Sequence, residues 1–66
     1  MEIRLNGELK TLENQQTVAD LVALLALDSR KIAIERNREI VPKSAYAHTQ
    51  LCPADEIEIV AFIGGG

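Results

Sequence analysis

TVADLVALL, residues 17–25, is the stretch that decides the fold of this 66-residue chain. Its apolar side chains recur every three or four residues, which is the spacing of one face of an α-helix. They are Val18, Leu21, Val22 and Leu25. Thr17 and Asp20 form a Thr-x-x-Asp pattern, in which the threonine hydroxyl can accept a hydrogen bond from a free backbone N–H at the helix start. The sequence therefore predicts one main helix over residues 18–26.

Alternating segments on both sides of this helix predict strands. Residues 1–5 alternate apolar and charged side chains, and the alternation in residues 31–36 places Ile32 and Ile34 on one face. Residues 39–41 form a short strand stopped by Pro42, which cannot donate to a ladder, and residues 43–48 form an irregular helical turn. Residues 56–63 are the last and most β-prone segment.

Asn6 and Gly7 indicate a hairpin between the first strand and residues 8–12, because both residues tolerate a positive φ. A two-residue loop would place Leu9 opposite Arg4, whereas a three-residue loop would place it opposite Leu5. A slip of one residue moves every side chain to the other face. Since burial of Leu9 favours the longer loop, we expect three residues in this turn.

The element order predicts an α+β fold, in which one main helix packs across a mixed sheet of four to five strands. The first and last strands can lie side by side and parallel at the centre of the sheet, with the helix in the crossover. We expect residues 1–63 to form a single domain and residues 64–66 to form a flexible glycine tail.

Composition excludes several classes of function. The net charge is −3 and the seven basic residues are scattered among ten acids, so the cationic stripe that nucleic acids require is missing. No stretch approaches the roughly 20 apolar residues of a membrane helix. With the single cysteine Cys52 and no signal-peptide pattern at Met1, we expect a cytoplasmic protein without membrane contact.

Gly64, Gly65 and Gly66 carry the chemical hypothesis. Glycine has no Cβ, so such a tail can thread a narrow channel and approach a partner's nucleotide closely. A free carboxylate is a poor electrophile until it is converted to an acyl phosphate or acyl adenylate. The sequence contains no phosphate-binding loop, metal-ligand cluster or nucleophile–base pair. We therefore expect no catalytic residues and no metal in this chain, and activation of Gly66 by another enzyme.

The last strand predicts a docking surface beside the tail. If Ile57, Ile59, Ala61 and Ile63 face the core, the opposite face runs from Glu56 and Glu58 to Val60 and Phe62. This outer face changes from acidic to apolar towards the tail. Exposed Val60 and Phe62 would suit partner docking, although a strand at the centre of the sheet could instead bury both faces.

The whole chain resembles the ThiS family, the sulfur carriers of thiamin thiazole synthesis. The resemblance lies in the opening strand and turn, in residues 16–21 and 39–42, and in the terminal glycines. It implies the β-grasp, ubiquitin-like fold. It also implies adenylation of Gly66 by an E1-like enzyme that consumes ATP, conversion to a thiocarboxylate by a sulfur-donor enzyme, and sulfur transfer at a thiazole synthase, with no cofactor bound to the carrier.

Two positions depart from the family pattern, and three alternatives stay open. Pro53-Ala54-Asp55 replaces a turn that usually contains glycine, and Tyr46 stands where tryptophan is usual. The small subunit of molybdopterin synthase uses the same fold and tail; a ubiquitin-like modifier and a pure binding module are the other candidates. Cys52 is expected to be a buried or half-buried small hydrophobe, and His48 a solvated loop residue.

Overall fold

The computed structural model describes residues 1–62. Within them, five strands and one α-helix follow one another in the predicted order. They are β1 (Glu2–Leu5), β2 (Glu8–Thr11), α1 (Val18–Leu24), β3 (Ile32–Arg36), β4 (Glu39–Val41) and β5 (Glu56–Ala61), with 3-10 helices at Ser29–Lys31 and Lys43–His48. The short strand before Pro42 and the helical turn over residues 43–48 are thereby confirmed.

The strands form one mixed sheet in the order β2-β1-β5-β3-β4. β1 and β5 lie parallel at the centre, with Leu5 opposite Ile57. The other pairs are antiparallel. The predicted α+β class, the central parallel pair and the helix in the crossover are therefore confirmed.

The core lies between α1 and one face of the sheet. Burial of each large aliphatic side chain contributes roughly 1.5–3 kcal/mol, so this thin layer provides most of the stabilisation. The buried hydrophobic residues are Ile3, Leu12, Val18, Leu21, Val22, Ile32, Ile34, Val41, Tyr46, Leu51 and Ile57. The connection after β4 thus contributes Tyr46 and Leu51 to the core, and Leu12 contributes from just after β2.

The capping box that the sequence predicts begins α1. Thr17 Oγ1 accepts from the Asp20 N–H at 3.2 Å, and Asp20 Oδ2 accepts from the Thr17 N–H at 3.1 Å. The backbone N–H groups of Gln16 and Thr17 hold the pKa of Asp20 below its usual value. The start at Val18 is confirmed.

The end of α1 differs from the prediction by two residues. The Leu27 N–H donates to Val22 O and the Ala26 N–H to Ala23 O, both at 3.1 Å. This bonding pattern is a Schellman motif, whose turning residue takes a positive φ. Ala26 does so, with φ of 56°. Because alanine here fills a position that usually holds glycine, no stop signal for the helix is visible in the sequence.

The hairpin register was predicted wrongly. Asn6 and Gly7 alone form the turn, with φ of 51° and 83°. Leu5 therefore pairs with Glu8 and Arg4 with Leu9, and Leu9 is 63% exposed. A two-residue turn with two positive φ values matches the twist of the flanking strands. This local preference outweighs the burial of one leucine.

In and just after β2, the residues that face the core are consequently Lys10 and Leu12. Lys10 is half-buried opposite Ile3, and Leu12 is almost completely buried. The aliphatic stem of a lysine can cover apolar surface while its ammonium group stays in water. Leu12, just after the strand, thus fills the place that the longer loop would have given to Leu9.

Candidate functional site

The predicted site lies at the carboxyl end of β5. Gly64, Gly65 and Gly66 lie outside the described residues, as does Ile63, which the sequence places at the end of the last strand. Val60 and Phe62 are described. β5 ends at Ala61, and the Phe62 N–H donates to Lys31 O at 2.8 Å. Pairing with the chain before β3 therefore fixes the backbone up to Phe62.

The sheet face opposite the helix is uncovered around this point. Val60 and Phe62 are 58% and 59% exposed, as the docking prediction requires. Ile40, 65% exposed, lies on the same face, because it pairs with Glu35, which pairs with Glu58. Sequence reasoning missed Ile40, although its alternation with the buried Val41 was visible. We call Ile40, Val60 and Phe62 the apolar patch.

The predicted change from acidic to apolar along β5 is present. Glu58 is exposed and lies directly opposite the half-buried Glu35 of β3. Like charges facing each other across a strand pair are destabilising. Further along, Val60 is opposite Ala33. The open face therefore carries two carboxylates level with Ile40, and Val60 and Phe62 lie further along towards the end of β5.

A cation lies beside the last described aromatic ring. The Lys43 ammonium nitrogen is 5.7 Å from the centroid of the Phe62 ring. Its position is fixed by a 3.0 Å hydrogen bond to Ile32 O. No sequence pattern predicts this contact, because the two residues are 19 positions apart in the chain.

Asp55 anchors the beginning of β5. Its carboxylate accepts from Arg36 Nε at 2.8 Å, from Asn37 Nδ2 at 3.0 Å and from the Cys52 N–H at 2.8 Å. Burial by itself would raise the pKa of Asp55, but these three donors outweigh it and hold the pKa below its usual value. The turn over residues 53–55, which the sequence showed to be unusual, is therefore fixed by a buried charge.

Asn6 supports the opposite edge of β5. Its N–H donates to Ile57 O at 2.9 Å, and its side-chain oxygen accepts from the Ile59 N–H at 2.8 Å. The side-chain nitrogen reaches Ile59 O at 3.4 Å. The asparagine side chain thus continues the ladder where β1 turns away, a role that the Asn-Gly turn signal did not reveal.

Three other predictions concern single side chains. Cys52 is exposed, so the expectation of a buried or half-buried thiol is wrong; the tight turn before Asp55 directs it outwards, 3.5 Å from Arg36 Nη2. His48 is exposed, as predicted. Ala61 is exposed rather than buried, whereas Ile57 is in the core and Ile59 is half-buried.

Residues 1–62 lack two other kinds of feature. In this part of the chain, no group of three or more His, Cys, Asp or Glu side chains could hold a metal ion. None of its helices combines the length and the apolar character needed to cross a membrane.

The match to known families covers both this sheet and the tail. The model described as "ThiS family" matches residues 3–66. The chain belongs to the ThiS family. Its match includes Gly64, Gly65 and Gly66, as well as the apolar patch.

Two kinds of relative bear on the role of this ThiS family member. This chain is 42% identical to the sulfur carrier protein ThiS of Bacillus subtilis, over 97% of this chain and 98% of the relative. It is 52% identical over its whole length to a thiazole synthase of Paramagnetospirillum magneticum, but spans only 20% of that protein. The predicted role, a sulfur carrier of thiamin biosynthesis, is confirmed at the level of the family.

A solved ThiS structure has the same fold. The thiamine biosynthesis protein ThiS of Geobacter metallireducens superimposes with a TM-score of 0.84 over the full length of both chains, at 26% identity. The β-grasp fold that the resemblance implied is thereby confirmed.

Proposed function

We propose that this protein carries sulfur as a thiocarboxylate on Gly66. An E1-like enzyme would bind ATP, and a carboxylate oxygen of Gly66 would attack the α-phosphorus and release pyrophosphate. A hydrosulfide ion supplied by a donor enzyme would then attack the acyl carbon and displace AMP, which leaves the thiocarboxylate on Gly66. The observation that carries the proposal is the family match, which runs through Gly66.

The chain acts in this scheme as a carrier and cosubstrate, and its partner enzymes supply the catalysis. ATP is consumed at the activating enzyme, and no cofactor is needed on the carrier. We place the reaction in the cytoplasm, where ATP is available. A bare glycine tail suits a carrier that other enzymes modify, because its backbone can enter a narrow active site without side-chain clashes.

Thiazole synthase is the acceptor that the relatives favour. In the Paramagnetospirillum protein, a segment similar to this whole chain is part of a thiazole synthase polypeptide. Joining two binding modules in one chain raises their effective concentration. This higher concentration has an effect only if the two modules bind each other. We therefore propose that the separate protein binds a thiazole synthase and delivers its sulfur there.

The apolar patch is the proposed docking surface for these partners. Four residue steps separate Phe62 from Gly66, and four residues span at most about 14 Å. An enzyme that holds Gly66 in its active site must therefore lie close to Phe62 and Val60. The facing pair Glu35 and Glu58 favours a partner surface that is apolar near the tail and cationic beyond it.

Intact mass spectrometry tests the proposal. The protein is incubated with its activating enzyme, ATP and the sulfur donor, and we expect one oxygen to be replaced by sulfur at Gly66. The chain without Gly66 is expected to stay folded and to gain no sulfur, and Gly66→Ala is the control of equal length. Sulfur on the shortened chain, or isopeptide attachment to lysines of other proteins, would contradict the assignment. A mature protein that extends beyond residue 66 would do the same.

A further inference from the structure

β5 has an unpaired backbone edge next to the tail. The pair Lys31–Phe62 is hydrogen-bonded, because the Phe62 N–H donates to Lys31 O. Antiparallel pairs alternate between hydrogen-bonded and non-bonded, so the neighbouring pair Ile32–Ala61 is non-bonded. The N–H and C=O of Ala61 therefore point away from β3, towards the side occupied by β1.

β1 does not reach this position. Its register with β5 ends at Leu5 and Ile57, and the Asn6 side chain satisfies only Ile59 beyond it. Within the described residues, the N–H and C=O of Ala61 have no backbone partner on that side. Such an edge is a template for a strand of another chain.

An apolar groove adjoins the same edge on the helix side of the sheet. Its volume is about 320 Å³, enough for one or two large apolar side chains. Its apolar lining consists of Leu5, Leu25, Leu27, Ile32, Ile59 and Ala61, and Asn6 is the one polar residue in the lining. A strand added beside Ala61 would point alternate side chains to this face of the sheet. One extended segment could therefore form hydrogen bonds with the open edge and place a side chain in the groove.

We propose that thiazole synthase binds here by strand addition, placing an extended segment along Ala61 and an apolar side chain of that segment in the groove. In this mode, main-chain hydrogen bonds give affinity, and pockets for alternate side chains give specificity. The added segment would lie beside β5 on the same side as β1, beyond the point at Asn6 where β1 turns away.

Three observations favour this occupant. The edge offers backbone donors and acceptors, which an extended chain satisfies best. The limit of about 14 Å between Phe62 and Gly66 keeps any protein that receives the tail beside Ala61. A segment similar to this chain belongs to a thiazole synthase polypeptide in a relative. The inference rests on the proposed function only for the identity of the partner.

The backbone part is tested by chemical synthesis of the full 66-residue chain with N-methylalanine at position 61. The methyl group removes one donor at the edge and touches no bond to β3. We expect an unchanged melting temperature and a Kd for thiazole synthase raised at least about fivefold, as expected for one lost hydrogen bond. Calorimetry without ATP measures this independently of sulfur transfer. Equal affinity of both chains, or no binding by the unmodified chain, would overturn the proposal.

The groove is tested by a matched pair of leucines. Leu27, 37% exposed, lines the groove, whereas Leu24, 46% exposed, lies outside it. We expect Leu27→Asp to weaken binding to thiazole synthase about tenfold or more, because the groove would have to desolvate a carboxylate, and Leu24→Asp to have no effect. Equal loss from both variants, with both folded, would contradict the assignment of the groove.

Amide hydrogen exchange distinguishes the edge from the rest of β5. In the free protein, the Ala61 N–H should exchange fast and the Phe62 N–H, bonded to Lys31 O, slowly. In the complex, we expect Ala61 to become at least about tenfold slower. An Ala61 amide that is already protected in the free protein would overturn the proposal. Sulfur transfer with no change at Ala61 would leave the proposed function intact and refute strand addition.

Discussion

Arg36, the last residue of β3, donates from Nε to Asp55 Oδ2 across 2.8 Å and thereby joins β3 to the turn that begins β5. The carboxylate is 6% exposed and the guanidinium 29% exposed. Removing one partner of a buried pair leaves the other charge uncompensated, which costs more than the pair contributes. The orientation of the strand that leads to the tail therefore depends on this contact.

We expect Asp55→Asn to lower the free energy of unfolding by about 2–3 kcal/mol, because Arg36 loses its counter-charge. Urea unfolding at neutral pH measures the change. Asp28→Asn is the control: its partner Arg30 is 84% exposed, and surface pairs contribute little. Equal losses from the two variants would show that burial of the Asp55 pair is unimportant.

We expect the free energy of unfolding to decrease in acid partly because the Asp55 carboxylate becomes protonated. Its pKa lies below the ordinary value in the folded protein, so its contribution is fully present above the unfolded pKa of about 3.9 and is lost as the pH falls through the folded value. Urea midpoints between pH 5 and pH 2 should therefore decline less steeply for Asp55→Asn than for the wild type. Parallel curves would rule out this role.

Phe62→Asp should weaken binding to the activating enzyme or to thiazole synthase with little loss of stability, since Phe62 is 59% exposed. A lost apolar contact near the centre of an interface costs 1 kcal/mol or more, about fivefold or more in Kd. Leu9→Asp is the matched control, because Leu9 is 63% exposed on β2. A large drop in melting temperature for Phe62→Asp would place Phe62 in the core instead.

Tyr46→Phe should leave stability unchanged or raise it by up to about 1 kcal/mol. The ring is 5% exposed, and within the described residues its hydroxyl has no hydrogen-bond partner. Burial of this hydroxyl also raises the pKa of Tyr46. Tyr46→Ala should cost about 3–5 kcal/mol, because it leaves a cavity. Destabilisation by Tyr46→Phe would reveal a partner for the hydroxyl.

Short-range patterns in the sequence determined much of this protein. The capping pair Thr17 and Asp20 and the helical spacing after it located α1. Alternation located the first, third and last strands, whereas turn signals and Pro42 located the two short return strands. The same alternation placed Val60 and Phe62 on the outer face of β5. These features follow from backbone geometry that repeats every two or 3.6 residues, so neighbouring residues suffice to predict them.

Contacts between distant segments were decided only in the tertiary structure. The Arg36–Asp55 pair and the support of Ile59 by Asn6 join residues whose spacing in the sequence carries no signal. The register of β2 and the outward position of Cys52 likewise had no sequence pattern that predicted them. In the hairpin, the favourable turn geometry of Asn6 and Gly7 opposed the burial of Leu9. Which arrangement has the lower free energy depends on whether another side chain can fill the core at that place. Leu12 fills that core, so Leu9 could stay in water.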